Sequence, residues 1–272
     1  MRVAEAVENA TLRLRSAGVE DAVGDSWRLL LHAVPGRMPV PGDRLEEGSA
    51  VTFENFVKQR ERRQPVAQII GKRLFHEHEF TVNSHVLDPR PDSEALVRAA
   101  IDQSPSTILD LGTGNGCLLI SVLAACPNSV GLGIDISRPA LRIARQNADR
   151  ILTGDRARFV ADDWNSTTSY KFDAILANPP YVSKAEYLQL PPEIRDWEPV
   201  SALTLMRDGF CAYPEIASVA ARCLTGNGIL YLEIGPGQRN RVMEICLHEK
   251  LEFRETVRDL DGRERILLFS LA

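Results

Sequence analysis

In its second half the chain reads Phe172-Asp173-Ala174-Ile175-Leu176-Ala177-Asn178-Pro179-Pro180-Tyr181, so that a short apolar run meets a rigid polar turn. An apolar run of this length, bounded by turn residues, is typical of a buried strand in a parallel sheet. We predict that the strand ends at Asn178, because two successive prolines have no N–H to donate to a ladder. Ligands of open α/β sheets bind at the carboxyl ends of strands, so this turn is predicted to border a binding site.

The turn offers several hydrogen-bond acceptors at once. Asn178 has a side-chain carbonyl, Pro179 has a main-chain carbonyl without an N–H, and Tyr181 adds an aromatic face. A planar group that carries an NH2 could donate to both carbonyls and lie against the ring. The alternative is a plain strand-end turn with a buried tyrosine. We favour the functional interpretation because a nucleotide-type loop lies upstream.

That loop is Asp110-Leu111-Gly112-Thr113-Gly114-Asn115-Gly116, between a predicted strand at 107–111 and a predicted helix at 117–125. Glycines at such a junction let the backbone approach a ligand closely. The next predicted strand ends in Asp135, whose carboxylate can accept both ribose hydroxyls of a nucleoside. The candidate cofactor-binding residues of this region are Asp110, Gly112, Thr113, Gly114, Asn115, Gly116 and Asp135.

Two cofactor classes fit a loop of this kind, a dinucleotide and S-adenosylmethionine. The spacing is GxGxG rather than GxGxxG, and Asp110 would repel a pyrophosphate but could hold a cationic amino-acid group. After the third predicted strand, Asp163 can accept the adenine amino group and Trp164 can pack on the ring, a stacking worth roughly 1–3 kcal/mol. Trp164 could instead merely cover the core. We predict S-adenosylmethionine.

The composition is that of an ordinary globular protein. The chain has 272 residues with a net charge of −5, which argues against broad binding of nucleic acid. Its five cysteines include no CxxC pair and indicate a reducing compartment. The first residues carry acids where a signal peptide needs an apolar core, and no apolar run approaches 18 residues. We therefore expect a cytoplasmic protein with no membrane association.

Strands and helices alternate from residue 107 onward, which predicts a doubly wound, mostly parallel α/β sheet. The first quarter of the chain instead has helical periodicity at 2–17, 21–34 and about 52–64. Between them, residues 74–82 alternate like a half-exposed strand, with a turn at Asn83-Ser84 and a return strand at 85–87. The predicted domains are a helical domain at 1–73, a β-hairpin and linker at 74–91, and an α/β domain at 92–272.

Two features of the first third have alternative interpretations. Residues 58–73 hold six basic residues and one acid, which form either a solvated face or a docking surface for an acidic or RNA-associated partner. His76 and His78 share one face of the predicted strand, but no third ligand stands at suitable spacing. We predict no metal site.

Taken together, these motifs resemble class I S-adenosylmethionine-dependent methyltransferases, and in particular those that methylate a glutamine of peptide chain release factors (the PrmC/HemK family). The similarity covers nearly the whole chain. Besides the two loops above, its specific motifs are 71–75, Leu87-Asp88-Pro89-Arg90-Pro91-Asp92-Ser93-Glu94 and Arg195-Asp196-Trp197-Glu198-Pro199. The family often has an aromatic where this chain has His76 and an isoleucine where it has Asp88, which affects the expected shape of the substrate slot.

The resemblance implies a seven-stranded Rossmann-like methyltransferase sheet and a helical N-terminal domain that recognises the substrate. It implies methyl transfer to the N5 amide nitrogen of the glutamine in the Gly-Gly-Gln motif, which modulates translation termination. Asn178, Pro179 and Tyr181 would be catalytic, Asn178 would also border the cofactor, and Pro180 and Phe75 would contact substrate. For Phe75 a core role is equally compatible, and for Glu233 we weigh structural and functional roles evenly.

Two rival interpretations remain. A DNA or RNA adenine-N6 methyltransferase also uses an Asn-Pro-Pro-aromatic turn on an exocyclic NH2, but it needs a basic target-recognition region and base extrusion. A non-catalytic cofactor-binding protein has no need of the intact Asn-Pro-Pro-Tyr turn. We therefore predict release factors as partners, no stable nucleic-acid partner, and a monomer.

Overall fold

The computed structural model describes residues 1–164 and 170–272. They divide into two units, one of Met1–Lys72 with Pro191–Trp197, and one of Arg73–Leu190 with Glu198–Ala272. The short segment at 191–197 therefore belongs to the helical unit, although the sequence prediction placed it in the α/β domain.

The second unit is built on a seven-stranded sheet. The strands of the described residues are β1 (Lys72–Phe75), β2 (His78–Thr81), β3 (Thr107–Leu111), β4 (Val130–Asp135), β5 (Ala157–Ala161), β6 (Phe172–Ala177), β7 (Leu224–Glu233), β8 (Leu251–Arg258) and β9 (Glu264–Leu271). The large sheet has the order β5-β4-β3-β6-β7-β9-β8, and β1 pairs only with β2. Strands β3 to β7 are parallel, while β9 runs antiparallel to β7 and β8. The predicted doubly wound, Rossmann-like sheet is confirmed.

Helices cover both faces of this sheet. The helices of the second unit are a 3-10 turn (Pro91–Ser93), α5 (Glu94–Asp102), α6 (Cys117–Ala125), α7 (Arg138–Ile151), α8 (Lys184–Tyr187), α10 (Val200–Leu203), α11 (Tyr213–Cys223) and α12 (Arg239–His248). Ala174 and Leu176 of β6 pack in a core with α5, α6 and α7, whereas Ile175 and Ala177 pack in a second core with α11 and α12. Alternate residues of one strand thus enter opposite cores, which explains why β6 has no polar face.

The order of the strands creates a crevice beside β3. The chain moves outward from β3 through β4 to β5, and then returns to the other side of β3 with β6 and β7. In the register of β3 and β6, Leu111 lies opposite Ala177, so the residues that follow them, Gly112 and Asn178, leave the sheet side by side. Ligands of open α/β sheets bind at such a switch point.

The first unit contains α1 (Val3–Ser16), α2 (Ala22–Ala33), α3 (Glu47–Glu61) and α4 (Val66–Ile70), together with α9 (Pro192–Arg195) from the later segment. Arg60, with 6% exposure, donates to Asp25 at 2.8 Å and to Glu193 at 3.0 Å. Arg63 donates to both oxygens of Glu193 at 2.6 Å. These two arginines of the basic segment therefore serve neither as a solvated face nor as a docking surface, because they hold the 191–197 segment.

The turn of the hairpin was predicted at the wrong residues. Its turn lies at His76-Glu77, where His76 has a φ of +53°, and the residues 85–87 form no strand. The turn separates His76 from His78, so the two histidines do not share one strand face. Physically, Phe75 and Phe80 are both buried and meet edge to face with centroids 6.0 Å apart, a contact that two antiparallel strands allow.

Across residues 1–164 and 170–272, no helix has the length and apolar composition that crossing a bilayer requires.

Candidate active site

A cavity of about 360 Å³ opens in the second unit where β3 and β6 diverge. This volume lies within the usual range for small-molecule sites. Among its lining residues are Gly112, Gly114, Asp135, Asp163, Trp164, Asn178 and Pro180, all of them candidates from the sequence. The fold therefore brings together side chains from four successive strand ends.

The glycine loop turns sharply around one carboxylate. Gly112 and Gly114 have φ values of +75° and +58°, which favour glycine. The Gly114 N–H donates to Asp135 Oδ2 at 2.9 Å, and the Ser137 N–H donates to Asp135 Oδ1 at 2.8 Å. Each oxygen keeps lone-pair capacity for a further donor, as binding of ribose hydroxyls requires.

Asp110 lies behind the loop rather than on the cavity wall. It is fully buried, and its Oδ2 accepts the Thr113 hydroxyl at 2.6 Å. Its Oδ1 is buried without a hydrogen-bond partner in the described residues. Burial raises the pKa of Asp110 to about 7. An unpaired buried oxygen at this position suits a cationic donor from a ligand.

Other candidates from the loop support its shape. Asn115 is buried, and its Oδ1 accepts the Cys117 N–H at 3.2 Å, while Gly116 precedes α6 with a φ of +82°. The side chain of Asn147 donates to the Asn115 carbonyl at 2.9 Å and accepts the Thr81 N–H at 2.8 Å. Asn147, which sequence reasoning missed, thus ties the hairpin to the cofactor loop.

Asp163 and Trp164 both line the cavity. A Cβ atom placed on Gly112 would stand 3.6 Å from Trp164 Cζ2, so the indole packs directly against this glycine. With Asp135, these residues give a flat apolar surface flanked by two carboxylates. They fit the adenosine part of S-adenosylmethionine, so the residues that line the cavity suit this cofactor, while Asp110 lies behind them.

The Asn178 side chain is fixed by a hydrogen bond to Ser93. Asn178 Nδ2 donates to Ser93 Oγ at 3.1 Å, and Ser93 Oγ donates to Glu233 Oε2 at 2.6 Å. Ser93 stands immediately before α5, where a serine often caps a helix, but its side chain makes no cap hydrogen bond. With Nδ2 committed to Ser93, the oxygen is the atom that Asn178 can offer to a ligand.

Tyr181 stands behind the turn. Its hydroxyl donates to Glu233 Oε1 at 3.4 Å, and its carbonyl accepts from Gln238 Nε2 at 3.0 Å. Burial, followed by the nearby Glu233 charge, raises the pKa of the Tyr181 hydroxyl. The side-chain oxygen of Gln238, Oε1, accepts from the Tyr213 hydroxyl and the Gly235 N–H. Gln238 therefore anchors the turn, a role with no signal in the sequence.

Phe75 does not border the cavity in this structure. The side chain is only 1% exposed and packs against Phe80 in the core. Pro179 is buried and Pro180 lines the cavity. Of the proposed substrate contacts, Asn178 and Pro180 line the cavity, whereas Pro179 and Tyr181 are not among its lining residues. Phe75 has the core position that was its alternative.

An ion pair lies next to two lining segments of the cavity. Arg90 Nη2 approaches the carboxylate oxygens of Glu198 at 2.7 and 2.8 Å. Leu87 and Pro199, which are close neighbours of these residues in the chain, both line the cavity. Burial raises the pKa of Glu198 to about 7, against the opposing effect of Arg90. Arg90 and Glu198, which belong to two motifs noted in the sequence, therefore meet next to this cavity within the second unit.

The fold and the site together define a methyltransferase that uses S-adenosylmethionine. Residues 85–190 match the family model described as the methyltransferase small domain, and residues 5–71 match the PrmC N-terminal domain. A crystal structure of a methyltransferase from Pyrococcus furiosus covers 70% of this chain and 87% of its own, with 15% identity and a TM-score of 0.51. That likeness supports the fold.

Sequence relatives give the family. The release factor glutamine methyltransferase of Cereibacter sphaeroides is 40% identical over 271 residues, with 98% of each chain covered. That of Rhodospirillum rubrum is 37% identical, with 96% of this chain and 83% of its own covered. The chain belongs to the release factor glutamine methyltransferase family.

Proposed function

We propose that this protein transfers a methyl group from S-adenosylmethionine to the N5 amide nitrogen of the glutamine in the Gly-Gly-Gln motif of peptide chain release factors. Family membership supports the substrate class. The observation that carries the chemistry is the hydrogen bond from Asn178 Nδ2 to Ser93, which presents Oδ1 beside the cofactor cavity.

The chemical problem is the low nucleophilicity of an amide nitrogen. Its lone pair is shared with the carbonyl, as the rotation barrier of about 18–20 kcal/mol shows for peptide amides. S-Adenosylmethionine supplies, when bound, a methyl group activated by a positively charged sulfur. What the protein must add is orientation of the nitrogen and stabilisation of the positive charge that grows on it.

Asn178 and Pro179 would meet both needs. Asn178 Oδ1 and the Pro179 carbonyl accept the two N–H groups, so that the nitrogen lone pair turns towards the methyl carbon. As the N–C bond forms and the bond between the methyl carbon and sulfur breaks, both oxygens would face the growing positive charge, and the nitrogen would then lose one proton to water. Alignment of the reactants supplies on the order of 7–11 kcal/mol. Tyr181 packs against the flat amide, and no strong base is needed before attack.

The cofactor would be held by the residues gathered around the cavity. Asp135 binds the ribose, Asp163 accepts from the adenine amino group, and Trp164 covers the ring. Gly112, Thr113, Gly114, Asn115 and Gly116 shape the loop, and Asp110 binds the amino-acid end. The assignments of Asp135, Asp163 and Trp164 are supported by their place on the cavity wall, whereas that of Asp110 rests on its buried, unpaired oxygen behind the loop.

The helical unit is proposed to recognise the release factor, since its residues 5–71 match a family-specific N-terminal domain. Lys58 and Arg62 are exposed members of the basic segment. We expect Lys58→Glu with Arg62→Glu to raise the KM for release factor while leaving the cofactor Kd unchanged. An unchanged KM would remove these residues from the docking surface.

The proposed reaction is tested with purified protein, methyl-labelled S-adenosylmethionine, and either a release factor or nucleic acid as acceptor. We expect label on the release factor, and none on a release factor whose Gly-Gly-Gln glutamine is replaced by alanine. Label only on nucleic acid would instead support the adenine-N6 reaction, and label on neither would support a non-catalytic binding protein.

The role of Asn178 is tested separately with Asn178→Ala. We expect the loss of one oriented acceptor to lower kcat by about 10²–10³-fold, by analogy with oxyanion-hole deletions, while the cofactor Kd changes much less. Equal losses in kcat and in cofactor affinity would contradict the assigned role.

A further inference from the structure

We propose that Glu233, acting through Ser93, is a positioning residue that sets which end of the Asn178 amide faces the substrate. The proposal rests on the proposed function of Asn178 as an acceptor. A side-chain amide has an oxygen and an NH2 of nearly the same shape, and only the oxygen can accept from the substrate amide. Some other group must therefore choose the orientation.

The choice follows from counting protons along the chain of hydrogen bonds. Ser93 has one hydroxyl proton, which it donates to Glu233 Oε2 at 2.6 Å. Its oxygen can then only accept, and it accepts from Asn178 Nδ2 at 3.1 Å. An ionised Glu233 has no proton to give, so the reverse direction is closed. Ionised Glu233 thus permits one orientation of Asn178, with Oδ1 towards the substrate.

The same chain also polarises the Asn178 amide. The bond from Ser93 to a carboxylate is charge-assisted, and consecutive hydrogen bonds strengthen one another in a buried site. Glu233 is 1% exposed and Ser93 is 2% exposed. Electron density is therefore shifted towards Asn178 Oδ1, which makes that oxygen a better partner for a nitrogen that becomes positive.

A neutral Glu233 would no longer fix the orientation of the Asn178 amide. A protonated carboxyl can donate to Ser93, which can then donate to Asn178 Oδ1 and turn the NH2 towards the substrate. The two donors would then face each other, and the acceptor would be lost. Burial raises the pKa of Glu233 to about 7, which places the change within the range of ordinary assays.

The surroundings of Glu233 come from several elements. Tyr181 reaches Oε1 from the turn after β6, and Asp92 lies in the same 3-10 turn as Ser93. Arg265 of β9 pairs with Asp92 at 2.8 Å and favours ionised Glu233. Because Arg265 is shared with Asp92, whose charge opposes ionisation, its attraction does not overcome the effect of burial.

Three variants test the proposal. Ser93→Ala removes the acceptor, Ser93→Thr restores a hydroxyl, and Glu233→Gln keeps the shape but removes the charge. Glu252→Gln makes the same chemical change at an exposed site on β8 and is the matched control. Thermal unfolding checks that each variant is folded. Rates are measured at saturating cofactor and release factor, because Asp110 titrates in the same range.

We expect Ser93→Ala to lower kcat about tenfold or more, and Ser93→Thr to recover most of it, with cofactor Kd unchanged in both. We expect Glu233→Gln to lower kcat about tenfold at pH 8, since a neutral hydrogen bond is roughly half as strong as a charge-assisted one. The kcat of the unmodified protein and of Glu252→Gln should fall as pH decreases through about 7, whereas that of Glu233→Gln should fall less steeply, because only Asp110 and Glu198 still titrate there. Parallel pH profiles for Glu233→Gln and the unmodified protein would overturn the proposal.

A second readout does not depend on activity. The side-chain NH2 resonance of Asn178, assigned by its loss in Asn178→Ala, should shift with pH through about 7 in the unmodified protein but not in Glu233→Gln. A resonance that does not respond would reject the coupling even if methyl transfer occurs. Conversely, a protein that shows the coupling but does not label a release factor would contradict the proposed function alone.

Discussion

Replacing Gly209 with alanine tests whether the backbone of the Asn-Pro-Pro-Tyr turn must lie where the structure places it. Gly209 has a φ of +85°, and a Cβ atom there would stand 2.5 Å from the Tyr181 carbonyl oxygen. That is about 1 Å shorter than an ordinary contact, whose lower limit is 3.4 Å. The obstructing atom is backbone, and Gln238 Nε2 holds it at 3.0 Å, so it has little freedom to move.

The expected loss has two parts. The left-handed conformation costs a residue with a Cβ about 1–2 kcal/mol, and overpacking costs about 1–3 kcal/mol. The sum is roughly 2–5 kcal/mol of unfolding free energy. If the turn moves instead, a displacement near 1 Å lowers kcat by about 10²-fold. The cofactor Kd should change far less, because Gly209 does not line the cavity.

Gly262→Ala is the matched control, since Gly262 has a φ of +79° and nothing within 4 Å of its Cβ position. It should lose only the conformational part, with a Tm lower by roughly 2–8 °C and kcat unchanged. Thermal unfolding and methyl-transfer rates of both variants give the comparison. If Gly209→Ala matched Gly262→Ala in Tm and kcat, the tight packing against the catalytic turn would be refuted.

Three further predictions follow from the site. Trp164→Ala should weaken cofactor binding by roughly 1–3 kcal/mol, or about 5–150-fold in Kd by calorimetry, and an unchanged Kd would reject stacking. Arg90→Met should destabilise the protein by about 3–5 kcal/mol in chemical unfolding, because it leaves the carboxylate of Glu198, with 1% side-chain exposure, without its partner. Arg241→Met, which breaks an exposed pair, should change stability by less than about 1 kcal/mol, and equal losses would argue against the buried pair. In the folded protein Glu233 holds a proton up to about pH 7, whereas in the unfolded chain it loses that proton near the reference pKa of 4.5. The protonated carboxyl therefore stabilises the folded state at low pH, and this stabilisation is lost as the pH rises through 7. Glu233→Gln should therefore make the fall in unfolding free energy between pH 5 and 7 shallower by up to about 1.4 kcal/mol per pH unit, and identical slopes would contradict the raised pKa.

Local patterns in the sequence identified most of the α/β unit. The strand 107–111 and the helix 117–125 lie where the periodicity and the glycine loop placed them. Asn178 follows β6 as predicted, because prolines end a ladder whatever surrounds them. The hairpin was predicted at the wrong residues by contrast, since 74–82 has the alternation of a single strand and the turn at His76-Glu77 has no glycine or proline.

Contacts between distant segments could not be read in the same way. Ser93 and Glu233 are 140 residues apart, and each has an ordinary alternative role, as a helix cap and as a strand end. Arg60 and Arg63 looked like surface charge until Glu193, 130 residues or more further along the chain, was found against them. No periodicity or spacing records a pair of this kind.

The sequence by itself determined the strand that ends in Asn178, the glycine loop and the family, because short-range backbone preferences and motif spacing are local properties. Only the tertiary structure decided which atom of Asn178 is presented to a ligand, which residues hold the turn, and which charges are buried. Those outcomes depend on the register of β3, β6 and β7 and on the withdrawal of polar groups from water, which exist only once the sheet has formed.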